Sequence, residues 1–311
     1  MRPKLIVIIG PTAAGKSARA LALAPTLEAG AEIISADSRH IYRRMDIGTN
    51  KPTRVDCSIV PHHLIDLREP HESFSLGEYV RLARAAIADV HARGKVPLLV
   101  GGTGQYVRAL LEGWRVPEAP PRLDIRRRWE EFVALRGQDA LRRELQARDP
   151  AALETIDPRN VRRVIRALEV MEVTGERWSD LQRRELPDLR GVSILYVNLP
   201  RPALYARADA RLKAMLKQGW LEETRALLDY LSSRGINAEG ALRLPAMSAL
   251  GYRQMIAVAR GQMSLEEAIA AIQRDTRRFI RAQDTWFRAI VASASAQGAR
   301  VLSRGERSFA R

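Results

Sequence analysis

The chain has 311 residues, 46% hydrophobic and 28% charged, with one cysteine and a net charge of +15. That length supports one large domain or two and the composition excludes disordered and collagen-like classes, while the lone Cys57 excludes an internal disulfide and a thiolate metal cluster. No apolar run approaches the roughly 18 residues of a membrane span, and the opening residues do not read as a signal peptide, so the cytoplasm is the expected compartment.

Residues 4–9 (KLIVII) form a continuous apolar, β-branched run ending at Gly10, the pattern of a parallel strand buried on both faces. A helix is expected over 15–27, a second strand over 31–36 (AEIISA) and a third over 96–100 (VPLLV). Between the last two lies a helix over 75–93, with Ser75 at its N-cap three residues before Glu78 and Gly94 closing its C-terminus. Strands alternating with helices of this length predict a parallel α/β sheet. The character changes at Trp114: Pro117, Pro120 and Pro121 read as a linker, and the chain to about 190 offers charged helical patterns without a convincing strand. In that stretch Asp157 and Pro158 are expected to cap and open a helix. Residues 192–197 (VSILYV) return to strand, followed by helices over 202–218, 221–232, 248–260, 264–271 and 274–292. The expected organisation is a P-loop core begun in 1–113, a helical insertion over 114–190, and a return to the core over 191–311.

The chemistry starts at Gly10, Pro11, Thr12, Ala13, Ala14, Gly15, Lys16 and Ser17, which fit G-x-x-x-x-G-K-[ST] between a buried strand and a helix N-terminus. In such a loop backbone N–H groups cradle phosphates, the lysine reaches a terminal phosphate and the hydroxyl holds Mg²⁺. Nucleotides such as ATP and other diphosphates present the same oxygens, so the loop alone leaves its ligand open. The strand at 96–100 runs into Gly101, Gly102, Thr103 and Gly104 without the aspartate an ATPase keeps there, which weighs against a motor or signalling NTPase. Asp37 is the one carboxylate leaving a strand at the expected active edge, in reach of the same crevice as Thr103. From position alone it is equally a helix or turn cap, and Thr103 could merely follow a glycine turn. His62 and His63 lack partners at metal-ligand spacing and read as structural.

The 51 basic residues face 36 acidic ones, and only six are lysine, an arginine bias that codon usage can also produce. The excess is densest in the last 38 residues, which carry 9 bases against 3 acids and suggest a polyanion surface. On a helix from Arg274, the residues Arg274, Arg277, Arg278, Arg281 and Arg288 share one face while Phe279, Trp286, Phe287 and Ile290 lie opposite, expected to pack. In the insertion Arg159, Arg162, Arg163 and Arg166 oppose an apolar stripe of Val161, Val164, Ile165, Leu168 and Met171. Each stripe could be a solvated face; two of them beside a phosphate loop favour a nucleic-acid backbone.

Together these motifs resemble the tRNA dimethylallyltransferase (tRNA isopentenyltransferase) family of bacterial type over nearly the whole chain. The resemblance rests on GPTAAGKS at 10–17, DSRHIY at 37–42 running into DIGTNKP at 46–52, HHLID at 62–66 and GGTGQY at 101–106. It continues through RRVIRALEV at 162–170, Arg207-x-x-x-Arg211-x-x-x-Met215, Gly251-Tyr252-Arg253, and Thr276-Arg277 leading to Gln283-x-Thr285-Trp286. It implies a P-loop NTPase-like parallel sheet flanked by helices with an inserted all-helical subdomain. The implied reaction moves a dimethylallyl group from dimethylallyl diphosphate to N6 of the adenosine just 3′ of the anticodon. Asp37 would be the general base, Thr103 and Arg126 would touch the nucleoside, and Arg207 and Arg211 would offset diphosphate charge, with Mg²⁺ on Ser17. Contacts to the anticodon stem-loop would come from Asp37, Ser38, Arg39, His40, Arg162, Arg163, Val164, Ile165, Arg166, Ser248, Ala249, Leu250, Gly251, Tyr252, Arg253, Arg277, Arg278, Arg281 and Gln283. A monomer without membrane association is expected. The chain departs from the family pattern at His40, where glutamine is usual, and at Ile280-Arg281-Ala282-Gln283, where one base is lost. A small-molecule P-loop kinase and an enzyme alkylating free adenine nucleotides are the competing readings, and a non-catalytic RNA-binding module the third.

Overall fold

The computed structural model describes residues 4–114, 116, 122–181 and 189–302. It contains two compact units: one comprises 1–74, 81–108 and 188–311, the other 75–80 and 109–187.

The first unit is built on a six-stranded sheet. Strands β1 (Leu5–Ile9), β2 (Ala31–Ser35), β3 (His62–His63), β4 (Val96–Gly101), β5 (Val192–Tyr196) and β6 (Arg300–Leu302) lie in the order β3-β2-β4-β1-β5-β6. All neighbours are parallel, with Ile6 opposite Leu98 and Ser193, and Ile33 opposite Leu98. The whole of β1 is buried, as an unbroken run of Leu, Ile and Val requires. Each such side chain contributes about 1.5–3 kcal/mol on leaving water. On one face Ile6, Ile8, Ile33, Leu98 and Leu195 pack against Ala20 and Leu23. These two come from α1 (Lys16–Leu23).

The remaining helices of this unit's chain segments are α2 (Arg54–Ile59), α3 (Leu76–Ala92, shared with the second unit), α4 (Gly104–Leu111, likewise shared), and, after α5 to α8 of the second unit, α9 (Arg201–Lys217), α10 (Trp220–Ser232), α11 (Ala238–Ala241), α12 (Tyr252–Ala259) and α13 (Leu265–Ala296). Helix α3 is capped as its sequence predicts, the Ser75 hydroxyl accepting the Glu78 N–H at 3.1 Å. Gly94 takes the left-handed conformation at φ 71°.

Several expectations need correction. The two helices expected at 264–271 and 274–292 are one helix of 32 residues, α13, because no proline or glycine interrupts 265–296 and Ser264 and Glu267 form a capping box at its start. Helix α12 begins at Tyr252 rather than at 248, since Gly251 turns the chain at φ 92° and a Cβ there would stand 2.2 Å from the Trp220 ring. The edge strands β3 and β6 went unpredicted.

The second unit contains α5 (Leu123–Arg136), α6 (Gln138–Arg148), α7 (Val161–Thr174) and α8 (Trp178–Leu181). Ile125, Trp129, Leu141, Leu145, Ile156, Val164, Ile165, Leu168 and Trp178 form its core. Helix α7 opens at Val161, one turn later than Asp157 and Pro158 predict. Asn160 is the cap, accepting the Arg163 N–H at 3.2 Å, while Asp157 instead holds the Arg159 side chain. The linker prolines Pro117, Pro120 and Pro121 lie outside the described residues, as does the chain end from 303. Among the described residues no helix is long and apolar enough to cross a membrane.

Candidate active site

The phosphate loop leaves β1 through Gly10, where a Cβ would stand 2.0 Å from the Val197 carbonyl oxygen, so no larger residue fits. Gly15 at φ 94° occupies the N-cap of α1 without a side-chain cap, which leaves the first-turn amides pointing at whatever anion the loop holds. Lys16 donates to the Pro11 carbonyl at 2.9 Å. Burial pushes its ammonium down to about 8, Asp37 opposing the shift and Arg211 adding to it. Two arginines from α9 reach the loop: Arg211 donates to the Thr12 hydroxyl at 2.6 Å and Arg207 to the Ala14 carbonyl at 3.5 Å. Burial lowers Arg211 from its ordinary value.

The loop opens on a cleft of about 550 Å³ lined by Lys16, Ser17, Asp37, Thr103 and Arg211 among others. Strand β2 delivers Asp37 and β4 delivers Thr103, because ligands of open parallel sheets sit beyond the carboxyl ends of strands. These two strand ends meet closely: the Thr103 N–H donates to the Ala36 carbonyl at 3.0 Å, and the Thr103 hydroxyl accepts the Ser38 N–H at 2.9 Å. Asp37 serves as a turn cap, accepting the Arg39 N–H at 2.9 Å, and also faces the cleft, so the two readings of its position are compatible. Burial penalises its charged form, but His40, the Arg39 amide and Lys16 outweigh that and hold the carboxyl below its ordinary value. It is a carboxylate at neutral pH. His40 is bound at both ring nitrogens, Nδ1 to Ser35 Oγ and Nε2 to the Thr49 carbonyl, each at 3.3 Å. A carbonyl can only accept, so Nε2 carries a proton.

Opposite the sheet edge the cleft is apolar and aromatic, with Leu212, Met215, Trp220, Phe279 and Trp286 on it. Phe279 and Trp286, expected to pack with Phe287 and Ile290, are 45% and 48% exposed, whereas Phe287 and Ile290 are buried. The helical period correctly groups the four residues on one side of α13, but the outer pair faces the cleft.

Gln283 is a second correction. It is 7% exposed, and its side chain accepts the Thr12 N–H and donates to the Gly102 carbonyl, both at 2.8 Å. It therefore ties α13 to the phosphate loop and to the end of β4, and the little of it that is exposed lies on the cleft rather than on the outer arginine face. Gln283→Ala would strand a donor and an acceptor, at about 1–3 kcal/mol each. The expected result is a loss of about tenfold or more in diphosphate affinity by titration calorimetry; unchanged affinity would contradict this role.

Other predicted contact residues divide by exposure. Ser38, Arg39, His40, Ser248, Ala249 and Leu250 line the cleft, with Arg39 donating to the Pro245 carbonyl at 2.7 Å. Gly251 and Tyr252 are buried, as are Val164 and Ile165 in the second unit, so these four support neighbours rather than offer contact surface. Arg253, Arg162 and Arg163 are exposed. On α13 Arg277 pairs with Asp209 at 3.0 Å, Arg281 donates to the Tyr205 hydroxyl at 3.4 Å, and Arg278 is exposed. Arg126 and Arg166 belong to the second unit, where both bond the carboxylate of the buried Glu169 at 3.0 and 2.7 Å. Burial opposes that charge, yet the two arginines hold the Glu169 carboxyl below its ordinary value. His62 and His63 are engaged structurally, by the Val60 carbonyl and the Glu32 carboxylate.

A phosphate loop, a carboxylate and an aromatic wall that share one cleft at the carboxyl edge of a parallel sheet define a P-loop protein with room for an apolar group beside its phosphate site. Comparison with known proteins says which. The model of the IPP transferase family matches residues 40–290. The tRNA dimethylallyltransferase of Thermomicrobium roseum is 48% identical over 287 residues, covering 92% of this chain and 84% of the relative. That of Roseiflexus castenholzii is 47% identical over 304 residues, 97% and 96% of the two chains. Among solved structures, the full-length tRNA isopentenylpyrophosphate transferase of Bacillus halodurans aligns with a TM-score of 0.62 at 36% identity, over 97% of this chain and 90% of that one. A eukaryotic dimethylallyltransferase acting on tRNA aligns at 0.80 and 26% identity, over 96% and 73%. The chain belongs to the tRNA dimethylallyltransferase family, enzymes that transfer prenyl groups.

Proposed function

We propose that this chain transfers a dimethylallyl group from dimethylallyl diphosphate to N6 of the adenosine 3′ of the anticodon in tRNA, releasing diphosphate. The observation that carries the reading is the convergence of the phosphate loop, Asp37 and an aromatic wall in one cleft. The loop suits the diphosphate, the wall suits a five-carbon apolar group, and the carboxylate suits an amine that must lose a proton.

In this reading N6 attacks the allylic carbon, the carbon–oxygen bond breaks, and its electron pair leaves on the diphosphate. Asp37 takes the N6 proton. Lys16, Arg211 and the amides heading α1 stabilise the charge that grows on the leaving group. Thr103, fixed against Ser38, orients the substrate beside Asp37, and the target adenine must first leave its stack. Arg126 is proposed to assist at the nucleoside, with Glu169 setting its orientation.

The donor set also fits Mg²⁺. Among the described residues no cluster of three His, Cys, Asp or Glu side chains could hold a metal ion. Mg²⁺ suits a site where one hydroxyl, Ser17, is supplemented by diphosphate oxygens and water. Bound there it would offset charge on the leaving group. We further propose that the enzyme works as a cytoplasmic monomer.

Recognition of the RNA is proposed to rest on the exposed arginines of α7 and α13. Each phosphate neutralised contributes a salt slope of about 0.7 to 0.9. Changing Arg277, Arg278 and Arg281 together to glutamine should make the plot of log stem-loop affinity against log salt shallower by about one to two. The full value for three contacts is not expected, because Asp209 already neutralises part of Arg277. Affinity for dimethylallyl diphosphate should stay as in the wild type. An unchanged slope would make this face a solvated one, and efficient alkylation of free AMP would favour a nucleotide-alkylating enzyme.

A further inference from the structure

We infer that Glu223 is a positioning residue, its carboxylate holding the 46–50 loop in the form in which that loop walls the cleft; the inference rests on the transferase reading above. Glu223 lies on α10, and its carboxylate accepts from three successive backbone amides, Asp46 and Ile47 at 2.7 Å and Gly48 at 3.0 Å. The Tyr252 hydroxyl donates a fourth bond at 2.6 Å. Successive N–H groups converging on one point form a nest, a concavity that favours an anion. Here the protein supplies the anion from 175 or more residues away in sequence.

The loop it grips has no regular secondary structure, and Asp46 and Asn50 are exposed, so these bonds fix shape rather than bury surface. Two further features hold the same segment. The Lys51 ammonium donates to the Asp46 and Asp66 carboxylates and to the Tyr42 carbonyl. Gly48 sits so close to α10 that a Cβ would stand 2.0 Å from the Trp220 indole nitrogen. What the loop presents outward is functional: Gly48, Thr49 and Asn50 line the cleft, and the Thr49 carbonyl accepts from His40. His40 in turn is the foremost of the charges that offset the burial of Asp37. Moving the loop would displace a cleft wall and release the His40 ring, while the phosphate loop on β1 would keep its own contacts to Gln283 and Arg211.

The test compares wild type with E223Q and E223D. Glutamine keeps the size but offers one acceptor oxygen, and its NH₂ would meet N–H donors; aspartate keeps the charge on a shorter arm. In E223Q the KM for an anticodon stem-loop should rise about tenfold or more, the expectation for losing at least two bonds to a charged acceptor. The Kd for dimethylallyl diphosphate should stay within about twofold. Amide exchange at 46–48 should quicken while the β1 and β4 amides keep their protection, and E223D should recover part of each effect. Wild-type kinetics and exchange in E223Q would overturn the inference. So would a joint loss of diphosphate affinity and sheet protection in both variants, which would mark a residue needed only for folding. A wild-type enzyme inert toward the stem-loop would sink the transferase reading instead, and exchange at 46–48 would still decide whether Glu223 holds the loop.

Discussion

Asp37→Asn is expected to lower turnover by about 10² to 10⁴, the usual contribution of a positioned general base, while tRNA and dimethylallyl diphosphate still bind within a few-fold. The asparagine is the informative replacement because Asp37 has two jobs. Its carbonyl oxygen can still accept the Arg39 N–H, so the turn after β2 stays capped. Proton acceptance is lost, together with the charge that opposes the lowering of the Lys16 ammonium. If Asp37→Ala fell and Asp37→Asn kept wild-type turnover, the side chain would be a cap and the base would lie elsewhere. The carboxyl is held below its ordinary value once burial is outweighed by His40, the Arg39 amide and Lys16. A group depressed in this way stays ionised until the pH falls below the usual carboxylate range. Turnover should therefore lack an acid limb from this residue near neutrality.

Lys16→Ala should reduce turnover by about 10² to 10³, comparable to removing one donor from a developing oxyanion, and should also raise the KM for dimethylallyl diphosphate. Burial lowers the Lys16 ammonium to about 8 despite the opposing charge of Asp37. In the free enzyme it is thus cationic below that pH and loses its proton above it. The kcat/KM for the diphosphate should accordingly fall as pH rises past about 8, and Lys16→Arg, whose charge persists, should move that limb to higher pH. Transfer should proceed without ATP consumption. Stoichiometric ADP release accompanying modification would revive a kinase reading.

The parts of this site written in contiguous residues were legible in the chain. Gly10 to Ser17 are one contiguous string, β1 and β4 are unbroken apolar runs, and β2 and β5 are apolar runs interrupted, before their last residues, only by Glu32 and by Ser193. What was not legible depends on partners distant in sequence. Gln283 belongs to a string that reads as part of a basic helix, yet its meaning lies in Thr12, 271 positions away. Glu223 carries no motif, because a nest is defined by the amides that converge on it and not by the residue that fills it. Helical periodicity placed Phe279, Trp286, Phe287 and Ile290 on one side of α13, but it could not say that the cleft leaves the first two uncovered. In RRVIR the helical period already sets Val164 and Ile165 opposite the arginines, as their burial bears out; what fails is the resemblance's reading of the whole string as one contact surface. The strands β3 and β6 have only two and three residues and pair on one side, too short for a pattern to emerge.

The central claim is that a diphosphate held by the loop at 10–17 leaves as an adenine amine is alkylated beside Asp37. The most direct measurement is mass spectrometry, with fragmentation, of an anticodon stem-loop RNA incubated with the enzyme, Mg²⁺ and dimethylallyl diphosphate. A mass gain of one C₅H₈ unit on the adenosine 3′ of the anticodon is expected, with one diphosphate released per modified RNA and both products formed at least about 10²-fold more slowly by Asp37→Asn. An RNA of unchanged mass, or one alkylated equally well by the Asp37→Asn enzyme, would contradict it.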